Sequence, residues 1–167
     1  SSSSAQSCQK GRTDVNQPPV FRIRVSYSKL SMLKYTGSLD MQRIWERSFR
    51  RAQLPLAYSQ GFHPQPRINQ ALPLPLGMTS QNDLIDFWLE QEMDLSIVIK
   101  SLRLAVPPGL EISAIQAVDV HSPSLPTLVI SAQYYALLLG ECESHLLDQM
   151  VKYLLAQGEI IREKRGK

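Results

Sequence analysis

The chain has 167 residues, a net charge of +3, 43% hydrophobic residues and 20% charged residues, which is ordinary for a globular protein of one or two domains. No apolar run approaches the roughly 18 residues that a membrane-spanning helix needs, so we expect no membrane contact. With only two cysteines, neither a disulfide framework nor a structural zinc site is expected. These features predict a reduced, cytoplasmic location.

Charge is unevenly distributed along the chain. Residues 1–67 carry eleven Lys or Arg against three Asp or Glu, residues 68–148 carry two against ten, and the last nineteen carry five against two. A compact fold of such a chain is expected to have one basic face and one acidic face. The alternative is that basic and acidic elements attract each other across the fold.

The opening residues predict a disordered leader, and the first regular element follows it. Residues 1–19 are rich in Ser, Gln and Pro, as expected for an unstructured segment at the start of a piece cut from a larger protein. Apolar and polar residues then alternate from Phe21 to Tyr27, which predicts a half-buried strand. Its outer face carries Arg22 and Arg24, and we expect that cationic face to lie open to phosphate.

A basic helix is predicted from Ser38 to about Gln53, because Ser38 is a suitable N-cap and apolar residues recur behind it at helical spacing. Glu46 is positioned to pair with Arg50. The outer face holds more arginines than solubility requires, and the guanidinium group suits phosphate. The alternative is an ordinary solvated face. The row consists of Arg43, Arg47, Arg50 and Arg51.

A loop rich in Gly and Pro follows the helix, from Ser59 to Pro66. A loop of this length that presents Phe62 and His63 is typical of binding segments. The alternatives are that Phe62 fills the core and that His63 is a hydrogen-bonded structural residue. A strand from Arg67 to Ala71 is expected next, and the prolines behind it confine that strand to a sheet edge.

The remaining elements complete a recognisable order. Alternation from Asp83 to Glu90 predicts a strand with Asp86 on an acidic outer face. A second helix begins after Asp94, and a fourth strand runs from Leu110 to Val118. Over residues 20–120 this is the order of a ferredoxin-like α+β sandwich, with an antiparallel sheet and both helices on one face. The open face of such a sheet often binds RNA.

Residues 121–167 are expected to start a second, similar β-α-β unit that this sequence does not complete. Thr127–Leu139 is predicted to be a strand, Glu143–Gln157 a helix and Glu159–Glu163 one more strand.

Motifs for catalysis are absent from the sequence. It contains no Gly-rich phosphate loop and no HExxH, CxxC or GxSxG. Its three histidines are far apart and lack neighbours at metal-ligand spacing, so no metal site is expected. An enzyme would need a site built from His63, Tyr35 and Asp40 around the basic helix.

Three segments together resemble a known domain: Leu33–Asp40 (LKYTGSLD), Ser59–Pro64 (SQGFHP) and Ala71–Gly77 (ALPLPLG). The chain resembles, over roughly residues 20–165, the radical-SAM-associated domain of unknown function. That domain is found fused behind, or encoded beside, cobalamin-binding-type radical SAM proteins in bacteria. The family pattern usually has His at the position of Ser38, so this chain departs from any site that needs an imidazole there.

The resemblance implies a non-catalytic accessory domain that presents a substrate to a radical SAM catalytic module, in the same or a neighbouring chain. The iron–sulfur cluster, S-adenosylmethionine and cobalamin would belong to that module, because the CxxxCxxC cluster loop is missing here. Together with the charge pattern, this leads to the hypothesis that the chain binds RNA or another anionic substrate. The candidate binding residues are Lys34, Tyr35, Arg43, Arg47, Arg50, Arg51, Phe62, His63 and Arg67.

Two alternatives stand beside the RNA hypothesis. The first is a protein-interaction domain that docks on the radical SAM module through its acidic face. The second is an enzyme with an unrecognised site near His63.

Overall fold

The computed structural model describes residues 20–140 and 143–159, which belong to two compact units divided after Ile130. The predicted leader over residues 1–19 and the predicted strand that begins at Glu159 lie largely outside the described residues. Within those residues, no helix has the length and apolar character needed to cross a membrane.

The first unit is built around a four-stranded antiparallel sheet. The strand order is β2-β3-β1-β4, which confirms the ferredoxin-like α+β arrangement. A 3-10 helix at Ser31–Tyr35 precedes the first α-helix. The elements are β1 (Phe21–Lys29), α1 (Ser38–Arg51), β2 (Ile68–Gln70), β3 (Ser80–Leu89), α2 (Leu95–Ala105), β4 (Leu110–Val118), α3 (Leu125–Leu128) and, in the second unit, α4 (Ser144–Ala156).

One face of the sheet packs against the helices through aromatic side chains. The rings of Tyr27 and Trp45 meet edge to face at 4.9 Å, Trp45 and Phe49 stack at 5.3 Å, and Phe49 lies 4.5 Å from Phe87. All four side chains are buried. Since aromatic residues bury the largest apolar areas, this chain of contacts from β1 through α1 to β3 forms the centre of the core.

The N-cap of helix α1 lies one residue earlier than the sequence predicts. Gly37 is the N-cap and Ser38 is the first helical residue. The Asp40 carboxylate accepts a hydrogen bond from the Gly37 N–H at 3.2 Å. This arrangement satisfies one of the free N–H groups of the helix start and places a negative charge where the helix dipole favours it.

The turn into β4 requires glycine. Gly109 has a φ of +89°, and a Cβ at this position would lie 2.9 Å from the carbonyl oxygen of Leu30. The Leu30 N–H donates to the Gly109 carbonyl at 2.7 Å. The two connections therefore touch through their backbones, which a side chain would prevent.

After β4 the chain turns back across the sheet face that the helices leave open. We call residues 119–128 the strap. The His121 N–H donates to the Asp119 carboxylate at 2.9 Å, and α3 brings Leu125 to 1% exposure against β2 and β3. The strap therefore packs on the first unit as part of its fold.

The second unit contains α4, as predicted, but the expected strand from Thr127 to Leu139 does not form. Its first residues belong to α3, and residues 129–139 have no regular structure. An isolated strand leaves its backbone N–H and C=O groups without partners, so it is stable only beside another strand. The described residues of this unit contain no strand with which it could pair. The second β-α-β unit stays a prediction.

Candidate functional site

The two arginines of β1 lie on the sheet face opposite the helices, and both pair there with the same carboxylate. Asp86 of β3 lies directly across from Arg24. Its carboxylate accepts from Arg24 Nε at 2.8 Å and from Arg22 Nε at 2.8 Å, and this hydrogen bonding raises the pKa of Arg24. Asp86 is 0% exposed and Arg22 is 2% exposed. Both arginines therefore share one carboxylate, which offsets only one of their two positive charges. The prediction that Asp86 lies on an exposed acidic face is wrong, because this carboxylate is buried between the arginines.

The strap covers part of this sheet face and contacts Arg22. The Arg22 guanidinium donates to the carbonyl oxygens of Ser122 and Pro123. It also lies 5.1 Å from the ring centroid of Trp88, and the guanidinium of Arg67 lies 5.0 Å from the same ring. The chain itself therefore covers the β2–β3 side of the sheet face that often binds RNA in this fold, while Ala114 and Gln116 of β4 on the same face stay exposed.

The arginine row of α1 presents the opposite situation. Arg43, Arg47 and Arg50 are exposed on the side of α1 that faces away from the core. Across residues 20–140 and 143–159, both ion pairs involve Asp86, so none reaches this row. Glu46 does not pair with Arg50 as predicted and accepts instead from the Gln42 side chain at 3.2 Å. These three arginines form what we call the basic face.

Arg51 differs from its neighbours in the row. Its guanidinium donates to the carbonyl of Ala105 at 2.8 Å, which ties the end of α1 to the end of α2. Such a side chain caps the free carbonyls at a helix C-terminus, where a cation is also favoured by the dipole. Arg51 therefore has a structural contact and contributes to the basic face only through its charge.

Helix α2 adds two cations that the sequence analysis missed. Lys100 and Arg103 are exposed on the helix whose other side buries Val98 and Leu102. Arg103 donates to the Ile112 carbonyl at 3.0 Å. Because α1 and α2 pack in one layer, these charges extend the positive potential of that layer. Their i, i+3 spacing was the available signal, but they lie in the acidic half of the sequence.

Lys34 and Tyr35 lie at the other end of α1 from Arg50. The Lys34 ammonium is 5.0 Å from the Tyr35 ring centroid, a cation–π distance. The Lys34 carbonyl accepts from the Gly77 N–H at 2.6 Å, so the ALPLPLG segment meets the KYTG segment here. Helix α1 has 14 residues, so this pair lies about 20 Å along the helix axis from the arginines of its last turn.

The SQGFHP segment forms a loop that interrupts an edge strand. Residues 55–57 run along the end of β3, where the Ala57 N–H donates to the Trp88 carbonyl at 2.8 Å. The chain then leaves the sheet and returns at Arg67, whose carbonyl accepts from the Trp88 N–H at 3.2 Å. Phe62 is fully exposed and His63 is exposed. The alternative in which Phe62 fills the core is therefore wrong.

The nine candidate residues thus do not converge on one site. Arg43, Arg47, Arg50 and Arg51 share the outer side of α1, and Lys34 and Tyr35 lie before its start. Phe62 and His63 lie at the loop that follows its end, while Arg67 lies at the base of that loop on the sheet face. Tyr35 precedes α1, Asp40 lies in its first turn and His63 follows it along the chain, and the enzyme alternative stays a prediction. No group of three or more metal-ligating side chains is present in the described parts of the chain.

The stretch from Arg47 through the loop to Asn82 lacks carboxylates. No Asp or Glu occurs from Arg47 to Asn82, while this stretch includes four arginines. Glu90 is the acidic residue that β3 brings towards the loop, because its N–H donates to the Pro55 carbonyl at 2.9 Å. An anion that approaches along this stretch meets little repulsion from the same segment.

A polar cluster lies within the core beneath the start of α1. The Lys29 side chain is 1% exposed and its ammonium donates to the Thr36 carbonyl at 2.8 Å. The Tyr27 hydroxyl approaches the Asp83 carboxylate at 3.4 Å. Burial lowers the pKa of Lys29 and raises the pKa of both Tyr27 and Asp83, since it disfavours each charged form. This cluster fixes the turn before α1.

Comparison with known proteins gives a family without an assigned role. No curated protein matches the chain. A family described as "Uncharacterized protein conserved in bacteria (DUF2344)" matches residues 22–167, which include every element described above except the first residue of β1. The chain belongs to this family.

Proposed function

We propose that the chain is a cytoplasmic accessory domain that binds RNA, or another anionic substrate, through the basic face of α1 and presents it to a radical SAM catalytic module. One observation carries this proposal. Arg43, Arg47 and Arg50 are exposed and have no carboxylate partner among the described residues. The arginines of β1, by contrast, both form ion pairs with Asp86.

The geometry of the basic face suits a phosphate backbone. Arg43 and Arg50 are two helical turns apart, about 10 Å along the axis, so the row is long enough to face more than one phosphate. Each guanidinium forms paired hydrogen bonds to phosphate oxygens. Since the side chains are already exposed and unpaired, binding would not have to break an ion pair first.

The link to a radical SAM module rests on the sequence resemblance. A CxxxCxxC loop needs three cysteines, and this chain has two, Cys8 and Cys142, so its residues do not fit an iron–sulfur cluster of that type. We therefore assign the cluster, S-adenosylmethionine and cobalamin to the catalytic module. This chain would contribute binding and orientation.

The two alternative functions draw less support. Docking through an acidic face would not use Asp86, because this carboxylate is buried. An enzyme near His63 lacks its proposed companions, because Tyr35 and Asp40 lie at the start of α1 and His63 follows its end.

The test is RNA binding measured by fluorescence polarisation between 50 and ~300 mM salt. Counterion release predicts a slope of about −0.7 in log K against log salt for each contact with single-stranded RNA. We expect Arg47→Ala or Arg50→Ala to weaken binding about fivefold near 0.1 M salt and to reduce the slope by about 0.7. The triple Ala variant with Arg43 should reduce it by about 2.

Lys152→Ala is the matched control, since Lys152 is an exposed cation on α4 in the other unit. It removes the same charge and should leave the slope unchanged. The proposal fails if the chain shows no RNA affinity at low salt, or if the arginine variants and the control behave alike.

A further inference from the structure

The loop Ser59–Gln65 carries a feature that phosphate binding does not use. We propose that this loop is a base-stacking site, in which Phe62 stacks on an unpaired nucleobase, so that the chain selects single-stranded or looped RNA over a continuous duplex. This inference rests on the proposed function and adds the structural class of the RNA.

The loop is held in a defined shape at its base. The Ser59 N–H donates to the Gln65 carbonyl at 2.8 Å, the Gln65 N–H donates to the Ser59 hydroxyl at 3.0 Å, and the Arg67 N–H donates to the Ala57 carbonyl at 2.8 Å. Tyr58 and Pro66 form a bridge between the two arms. Since the backbone is already ordered, a ligand that contacts the tip has less ordering entropy to offset.

Phe62 lies at the tip without any cover. Its relative exposure is 103%, the value of a side chain in an extended peptide. Gly61 has a φ of +140°, a conformation that favours glycine, and it sets the turn just before Phe62. A closed loop that keeps an aromatic ring away from the core forfeits the burial of a large apolar side chain. A binding partner would recover that burial.

The neighbours of Phe62 favour a nucleobase over a protein pocket. The other residues of the loop are Ser, Gln, Gly, His and Pro, so the ring is not part of an apolar cluster. Protein interfaces concentrate their affinity in clustered, well-packed anchors. A base needs only one exposed ring face, and stacking on it is tolerant of sequence.

The charges around the loop agree with this choice. Residues 52–58 connect Arg51 to the loop, and residues 55–57 pair with the end of β3. The loop therefore emerges at the end of the domain where α1 finishes and Arg50 lies. Arg67 stands at the base of the loop. An RNA strand bound from Arg47 towards the loop would meet no acidic residue of this segment. Glu90, which follows β3, is the carboxylate that the sheet brings near the base of the loop.

Stacking at a loop tip also explains why unpaired RNA is the fitting ligand. In an A-form duplex the major groove is deep and narrow, and the bases are stacked on one another. Phe62 has access to a base face only where a nucleotide is unstacked, as in a single strand, a bulge or a hairpin loop.

The experiment compares three RNA probes of matched sequence with the full chain: a single strand, a hairpin with an unpaired loop and a blunt duplex. We expect Phe62→Ala to weaken binding of the first two about tenfold, within the range of one lost stacking contact, and to leave the salt slope and the duplex affinity unchanged. Phe62→Trp should restore binding. A 2-aminopurine placed in the unpaired segment should be quenched by the wild type and not by Phe62→Ala.

The control and the outcomes separate this inference from the proposed function. Leu155→Ala removes an apolar side chain of 80% exposure from α4 and should have no effect. If Phe62→Ala is silent while Arg47→Ala still reduces the salt slope, the stacking site is refuted and the proposed function stands. If Phe62→Ala weakens association with a catalytic protein but not with RNA, the loop is a protein-docking element. If the wild type binds no RNA at all, both proposals fall.

Discussion

The arginines of β1 and those of α1 are chemically the same and both lie on faces that the sequence pattern marks as outer, yet they have different roles. Arg22 is 2% exposed and bound to Asp86 and to two strap carbonyls. Arg47 is exposed on the helix surface and has no ion pair within residues 20–140 and 143–159. A charged residue at an outer position is therefore available to a ligand only if the chain has not placed its own counter-charge beside it.

The counter-charge for β1 comes from far away in the sequence. Asp86 is 62 residues from Arg24, and the antiparallel register between β1 and β3 sets them opposite each other. Cross-strand pairs of opposite charge stabilise a sheet, and the strap then removes this pair from water. The result is a charged cluster with a structural role in the first unit and a free basic face in the helix layer.

The largest effect that tests this comparison is expected at Asp86. Asp86→Ala leaves Arg22 buried without its carboxylate, and removal of one partner of a buried pair typically costs about 3–5 kcal/mol. Arg47→Ala, on the exposed row, should change the free energy of unfolding by less than about 0.5 kcal/mol. Urea unfolding followed by tryptophan fluorescence measures both values.

Glu90→Ala is the matched control for Asp86, since Glu90 follows β3 directly and is exposed. Its effect should be as small as that of Arg47→Ala. If Asp86→Ala lowers the free energy of unfolding no more than Glu90→Ala does, then the ion pairs do not stabilise the arginines of β1. The distinction between the arginines of β1 and those of α1 would then be unfounded.

A somewhat smaller effect is expected from the strap. Leu125 is 1% exposed, and Leu125→Ala removes buried methyl groups and leaves a cavity, at a cost of about 3 kcal/mol. Leu128 lies on the same short helix but is 43% exposed, so Leu128→Ala should cost much less. Because the basic face lies on the other layer, neither variant should alter RNA affinity. A gain of affinity in Leu125→Ala would instead assign a binding role to the covered sheet face.

The sequence was sufficient to predict the fold because the spacing of its apolar residues matches the strands and helices that form. The alternation in β1 and β3 and the helical spacing in α1 each place the same residues in the core that the structure buries, such as Val25, Trp45 and Phe87. The strand expected before α4 failed for a different reason. An apolar run specifies a strand only when a partner strand is present, and residues 131–139 have none among the described residues.

The candidate site was only partly predictable. Helical spacing alone indicated that Arg43, Arg47 and Arg50 share an exposed face, because the 3.6-residue period fixes which residues lie together. The same logic failed for Arg22, since strand alternation distinguishes two faces but does not reveal which face a later segment will cover. The strap is a turn-rich segment whose apolar residues follow no helical or strand spacing, so no local sequence pattern predicts its contact with Arg22.

The smallest expected effect concerns the other carboxylate of β3, Asp83, which lies on the helix side of the sheet. Burial raises the pKa of Asp83 above its ordinary value of 3.8. The folded protein therefore holds this proton to a higher pH than the unfolded chain, and the free energy of unfolding should fall as pH rises from 3.8 through the raised pKa. Tyr27 and Lys29 face the same carboxylate, but both titrate near pH 10 or above in the unfolded chain.

Asp83→Asn should remove this acid-range decline. When the free energy of unfolding is plotted against pH, wild type and Asp83→Asn should therefore separate above pH 3.8, with the wild type losing more stability. Asp94→Asn is the control, because a hydrogen bond from Ser96 lowers the pKa of Asp94 and confines its effect to pH values below 3.8, while Asn still caps α2. Urea midpoints at half-unit pH steps between 3 and 7 distinguish the two variants. A wild-type midpoint that rises through this range in parallel with that of Asp83→Asn would mean that the Asp83 carboxylate, like the arginines of α1, is in effect solvated. Asp86 would then be the buried carboxylate of β3.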